Sequence, residues 1–309
     1  MKSKRDTLQK QRRPIAVLLM ILSALLFSAM QLMIKLSNTS GSFPLMEQVF
    51  FRNLLSVLVA GVFLLRKGVF PLGHKSAQPY LFGRSIAGFL GIITFFYATN
   101  HARIADANIL NKLSPIVVTI LAAVFLRERV TKVQYAALAI SFLGAWLVCG
   151  STLQSDSFAM FVALLSAVFS GIAYTFVSVL KQKADPLVVI MHFSAFSVLC
   201  ATLGMLRSFV MPTAEQFCYL FSISVFGSLG QIALTYSYKF APASEISIYN
   251  YSGIIWSALL GWVFLKESLP SSTIVGGLLV IGASLMTFLH NRTNNAQSNL
   301  EADASEEVS

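Results

Sequence analysis

The sequence predicts an all-α integral membrane protein with ten transmembrane helices in a 5+5 inverted-repeat arrangement. Three observations carry that prediction: an apolar, charge-poor composition, ten apolar stretches of spanning length, and an internal repeat with an odd number of spans. Of the 309 residues, 56% are hydrophobic and 12% charged, about half of the roughly 25% charge typical of a soluble domain. One soluble core could not bury so much apolar surface. Net charge is +10, from 23 Lys and Arg against 13 Asp and Glu. The basic residues sit between apolar runs and form no single patch, which argues against a nucleic-acid partner and for a lipid bilayer. Cys149, Cys200 and Cys218 form no CxxC pair, so neither a disulfide framework nor a metal site is indicated.

A helix needs about 20 mostly apolar residues to cross the hydrocarbon core. Ten stretches qualify: 15–36, 44–65, 79–100, 105–126, 133–150, 157–180, 186–208, 215–239, 243–265 and 272–290. Prolines punctuate them. Pro14, Pro44, Pro71, Pro79, Pro186, Pro212, Pro242 and Pro270 fall in loops or at helix starts, where a missing N–H does little harm. Pro115 alone falls inside a span, and its lost hydrogen bond frees the carbonyl of Asn111, so it is a candidate hinge. The first stretch is too long for a cleavable signal and leads into a second span. The chain then divides into a basic cytoplasmic N-terminus (1–14), a first five-helix unit (15–150), a second (157–290) and a polar, acidic tail expected to be disordered (291–309).

Orientation follows from the basic residues. With a cytoplasmic N-terminus, Lys2, Lys4, Arg5, Lys10, Arg12 and Arg13 lie inside, as do Arg66, Lys67, Lys75, Arg127, Arg129, Lys132, Lys181, Lys183, Lys239 and Arg292. Only Arg103, Arg207 and Lys266 fall outside. That asymmetry places both termini on the cytoplasmic side of a plasma (inner) membrane.

Shifting the sequence by 139 residues aligns 88–128 with 227–267 at 14 of 41 positions without a gap. Gly88 and Gly91 meet Gly227 and Gly230, Tyr97 meets Tyr236, Asn111 meets Asn250, and Phe125-Leu126-Arg127-Glu128 meets Phe264-Leu265-Lys266-Glu267. Five spans per unit set the second copy upside down against the first. Inverted repeats of this kind belong to transporters, with a substrate site near the midplane.

Phe51-Arg52-Asn53 early in the second span, and Phe-Leu-Arg/Lys-Glu closing the fourth and ninth, resemble the drug/metabolite transporter superfamily, in particular its EamA-type members. The resemblance runs from about 15 to 290, making each five-helix unit an EamA-like repeat. It implies a shared fold and cargoes such as amino acids, nucleotide-like metabolites, vitamins or drugs. Asn111-Lys112 depart from the family's apolar pattern in the fourth span, which speaks against a simple hydrophobic drug.

Ionisable groups inside spans need a partner or a task. Arg52 and Lys112 each lie seven to eight residues into a span, about 10–12 Å deep at 1.5 Å per residue. Arg52 either binds substrate or caps a broken helix. Lys35 and Arg84 lie near span ends, where snorkelling or a positive-inside role suffices. The repeat pairs Asn111 with Asn250, beside Lys112 and Tyr251, and Tyr97 with Tyr236. His192 and Gln231 add polar groups at moderate depth. Substrate-binding candidates are therefore Arg52, Tyr97, Asn111, Lys112, His192, Gln231, Tyr236, Asn250 and Tyr251, each weighed against interhelical hydrogen bonding. Glu128 and Glu267, just past their spans, read as caps for the helices that follow. The glycines read as sites of close helix contact.

No HExxH, phosphate loop or paired aspartates occur, so no enzyme, metal, cofactor or ATP-driven pump is indicated. The expected function is secondary, non-ATP-driven transport of a small metabolite by alternating access. The cationic bias within the spans favours an anionic substrate carrying a carboxylate, such as an amino acid or related compound. The alternative is a non-transporting polytopic membrane protein, a scaffold or intramembrane enzyme. Monomer and homodimer are equally open.

Overall fold

The structure, a computed structural model, describes residues 2–38, 43–70, 73–114, 116–117, 121, 131–150, 157–180, 183–206, 208–240 and 247–307. Ten α-helices and no strand occur among the described residues: α1 (Lys2–Ser37), α2 (Leu45–Lys67), α3 (Gln78–His101), α4 (Ile104–Asn111), α5 (Lys132–Gly150), α6 (Ser157–Leu180), α7 (Pro186–Met205), α8 (Ala214–Phe240), α9 (Ser252–Leu265) and α10 (Ser271–Glu307). Among the described residues, seven stretches are long and apolar enough to cross a membrane, in α1, α2, α3, α6, α7, α8 and α10. Large apolar side chains such as Leu65, Phe142, Trp146 and Leu206 stand on the outside, as lipid-facing residues do.

Local chemistry sets the helix ends. Gly68, at φ 63°, closes α2 in the left-handed conformation and donates to Leu64 and Leu65 carbonyls. Asp185 caps α7 by accepting the Leu187 N–H at 2.8 Å, with Pro186 in the first turn. Thr213 and Gln216 exchange side-chain-to-backbone hydrogen bonds ahead of α8, a capping box.

The helices depart from the sequence-based boundaries in four places. α4 ends at Asn111, and after a turn at Lys112 and Leu113 the described residues Ser114, Ile116, Val117 and Leu121 are helical again. The fourth stretch is therefore interrupted at Asn111, the residue whose carbonyl Pro115 cannot serve. Pro115 itself, Glu128 and the Phe125–Glu128 stretch lie outside the described residues. In place of one long ninth helix, a 3₁₀ turn (Ser247–Tyr251) precedes a 14-residue α9. The first helix runs back through Pro14 to Lys2, and the last continues through the acidic tail to Glu307 rather than ending near 290. Extending an existing helix avoids the nucleation penalty, and the tail's Ala, Gln, Leu and Glu are good helix formers.

Sequence-distant helices pair. α1 packs on α8 and α9, α3 on α6 and α7, α2 on α7 and α8, and α5 on α10. Small polar groups tie these contacts, since no water competes for them in hydrocarbon. Ser23 and Ser237 donate to the Gly230 and Ala16 carbonyls at 2.8 and 2.7 Å across the α1–α8 contact. The Ser56 and Ser228 hydroxyls meet at 2.8 Å between α2 and α8.

The α5–α10 contact is backbone against backbone. A Cβ on Gly276 would lie 2.5 Å from the Gly144 carbonyl oxygen, and one on Gly144 would lie 2.7 Å from that of Gly276. Gly282, on the same helix, faces open space. Gly276→Ala should therefore destabilise the folded protein in detergent by about 1–3 kcal/mol, while Gly282→Ala leaves the thermal midpoint level or raises it through helix propensity. Equal midpoints for the two variants would contradict the contact.

Candidate functional site

A central cavity of about 110 Å³ lies among α1, α2, α3, α4, α6, α7, α8 and the 3₁₀ turn ahead of α9. Among the described residues its lining carries three cationic side chains, Arg52, Arg84 and Lys112, and no carboxylate. The rest is mixed: Gln31, Asn108, Asn111, Gln231 and Asn250 offer amides, and Phe27, Phe95 and Phe96 form an aromatic wall.

The two arginines share one aromatic platform. The guanidinium carbon of Arg84 lies 4.1 Å from the Phe193 ring centroid and that of Arg52 lies 5.6 Å away, both within cation–π range. Arg52 donates to Asn53 Oδ1 at 2.7 Å and to Gln231 Oε1 at 3.2 Å. Asn53 is held in turn by its donation to the Val49 carbonyl. These neutral acceptors do not neutralise the charge. Among the described residues, Arg52 Nε and Arg84 Nε and Nη1 are buried without a hydrogen-bond partner. Gly88 and Gly227 make the space: a Cβ on Gly88 would lie 2.1 Å from Arg84 Nη1, and one on Gly227 would lie 3.0 Å from Arg52 Cγ. These two glycines are close helix contacts, as the sequence suggests, facing Phe193 of α7 and Met30 of α1, and they also seat the guanidinium groups.

Lys112 follows the last residue of α4, where the helix breaks. Its Nζ donates to Asn250 Oδ1 at 2.8 Å, and its carbonyl accepts the Tyr251 hydroxyl at 3.2 Å. Asn108 Nδ2 donates to the Gly253 carbonyl at 2.7 Å, so two interrupted helices meet through side chains on both. Asn111 turns to α6, donating to Ser166 Oγ at 2.9 Å.

The sequence-derived candidates therefore divide. Arg52, Asn111, Lys112, Gln231 and Asn250 line the cavity, and Tyr251 braces Lys112 from behind. Tyr97, His192 and Tyr236 do not line it. Tyr97 stacks on His101 at 4.1 Å, Tyr236 tilts against Phe240, and His192 hydrogen-bonds Ser85 Oγ at 2.8 Å beside the Phe82 ring. Each turns toward a face of its helix that the cavity does not touch. Arg84, read as an interfacial charge, faces the cavity, and Gly88 one turn on was the available signal. Nothing local in the sequence marks Phe193.

A second polar cluster ties the end of α1 to α9. Lys35 is not free to snorkel: it bonds the Glu267 carboxylate and the Ala102 carbonyl. Glu267 Oε2 also accepts the Ile104 N–H at 3.0 Å. The carboxylate thus caps α4, in the other half of the sequence, and not the α10 helix that follows it. Lys266 takes the left-handed conformation (φ 55°) to end α9, and the Glu267 N–H reaches back to the Gly261 carbonyl. A Cβ at Gly261 would strike Glu267 Oε2 at 2.7 Å. Asp106, a fully buried carboxylate near the start of the fourth span, pairs with Arg103 Nε at 2.6 Å and accepts from Thr273 Oγ1 at 2.9 Å.

These helices and this cavity belong to a multi-pass membrane protein. The EamA-like transporter family model matches residues 14–150 and again 157–289, and the chain belongs to that family. The pseudopaline exporter CntI of Pseudomonas aeruginosa is 34% identical over 278 residues, 87% of this chain and 94% of that protein. An uncharacterised transporter of Helicobacter pylori is 26% identical, covering 88% and 94%. The S-adenosylmethionine uptake transporter of Rickettsia bellii is 22% identical, covering 77% and 82%. A solved crystal structure at 18% identity shares the fold, with a TM-score of 0.62 over 90% of this chain and 98% of that one. The family and these named relatives are transporters, not enzymes.

Because Glu267 answers both an ammonium and a helix N-terminus, its removal strands two groups. Glu267→Ala should lower stability by about 2–4 kcal/mol and Lys35→Met by less, read as thermal midpoints in detergent. The reverse order would contradict the cap on α4.

Proposed function

We propose that this protein is a secondary, non-ATP-driven carrier of a small metabolite with an anionic group such as a carboxylate, an amino acid or related compound being the expected type. The observation that carries the proposal is the cavity's charge: among the described residues it has three cations, no lining carboxylate, and three guanidinium nitrogens without hydrogen-bond partners. A buried charge left unpaired costs several kcal/mol, and in a membrane protein such groups mark substrate paths. An anion entering the cavity supplies the missing counter-charge. Neither arginine bonds a main-chain carbonyl among the described residues, which disfavours the helix-capping role considered from the sequence.

Alternating access between two inverted five-helix repeats is the mechanism we assign. The helix pairings support it. Exchanging α1–α5 with α6–α10 turns α1–α8 into α6–α3, α1–α9 into α6–α4 and α2–α8 into α7–α3, all of them observed contacts. A pattern folded both ways up gives two states of similar energy, one open to each side. The positive-inside count supports cytoplasmic termini and residence in a plasma (inner) membrane. One relative is named an exporter and another an uptake transporter, in keeping with a direction set by gradients.

Arg52→Gln and Arg84→Gln should each lower uptake of carboxylate-bearing metabolites into proteoliposomes by about ten- to a hundred-fold, the loss of one charged hydrogen bond. Wild-type rates in both variants, with folding verified by gel filtration, would refute the anion site. Reporter tags on the two termini should both read cytoplasmic; opposite sides would refute the ten-span inverted arrangement.

A further inference from the structure

Resting on the anion-carrier reading above, we infer that the substrate class is compounds with two separated anionic groups, one held by Arg52 and Arg84 and the other by Lys112. The cavity's cations occupy two stations of different construction. At the first, two guanidinium groups from α2 and α3 lie on Phe193 of α7, with Gln231 of α8 completing it. At the second, Lys112 at the break after α4 meets Asn250 ahead of α9. α9 packs mainly on α1 and α4, so the second station stands on helices other than those that build the first.

Donor counting separates the two. Guanidinium forks match the two oxygens of a carboxylate, and the three unpartnered nitrogens at the first station suffice for one such group. Lys112 is left without work in a monoanion complex. Its ammonium has three donors, of which the Asn250 amide oxygen takes one. A monoanion would leave two of three buried charges uncompensated, whereas a dianion leaves one, and charge in the hydrocarbon region is expensive. Phe95, Phe96 and Ile92 line the same cavity and suit an apolar spacer between the anionic ends.

The test uses the purified full chain in detergent with butyrate, succinate, adipate and succinamide as probes, binding being read by calorimetry. At least one dicarboxylate is expected to bind about ten-fold or more tightly than butyrate. Lys112→Gln should weaken that dicarboxylate about ten-fold more than it weakens butyrate, and Lys112→Arg, which keeps the charge, should restore the preference. Dicarboxylates no tighter than butyrate, or binding by neither, overturn the inference, as does an equal effect of Lys112→Gln on both classes. Succinamide binding as well as butyrate and succinate would instead overturn the anion reading beneath it.

Discussion

Hydrocarbon offers no hydrogen bonds, so every polar group carried into it must be answered from within the protein. That constraint organises the structure. Serines on α1, α2 and α8 spend their hydroxyls on carbonyls or hydroxyls of facing helices. Asp106 is enclosed by Arg103 and Thr273, whereas Glu47 accepts the Val210 N–H at 2.7 Å through Oε1 and leaves Oε2 without a partner among the described residues. The guanidinium pair differs from these groups in lining the cavity, beside an aromatic ring and neutral amides. A charge the fold leaves unanswered is one that a passing ligand can answer.

The same constraint explains where backbone irregularity is tolerated. α4 stops after eight residues and α9 starts late behind a 3₁₀ turn. Both interruptions border the cavity, and side chains from each satisfy the other: Asn108 serves the Gly253 carbonyl, Tyr251 that of Lys112. The opposite ends of these helices are fixed by the Phe264–Glu267 segment, where a left-handed Lys266 turns Glu267 back to cap α4 and hold Lys35. One short sequence signature thus closes a helix, caps a second and anchors a third.

Counting residues along an apolar run singles out polar groups well inside a span, and of those Arg52, Asn111, Lys112, Gln231 and Asn250 line the cavity. Helix face was not legible. In helices apolar nearly all round, periodicity does not say which side is inward, and Tyr97, His192 and Tyr236 lie outside the cavity lining. Glu267 was read as a local cap, since sequence neighbours are the only partners a single chain displays. Lys35 was read as snorkelling on the same ground.

The sequence by itself determined that this is a helical membrane protein, roughly where most of its helices run, and that cations lie within its apolar stretches. Apolar length, proline placement and charge distribution are properties of the chain alone. The tertiary structure decided that Arg52 and Arg84, thirty-two positions apart, would lie on one ring contributed by α7, and that among the described residues no carboxylate would join them in the cavity. That outcome depends on how α2, α3 and α7 rotate against one another. Rotation is set by packing at glycines such as Gly88 and Gly227, which act only once the neighbouring helix is in place.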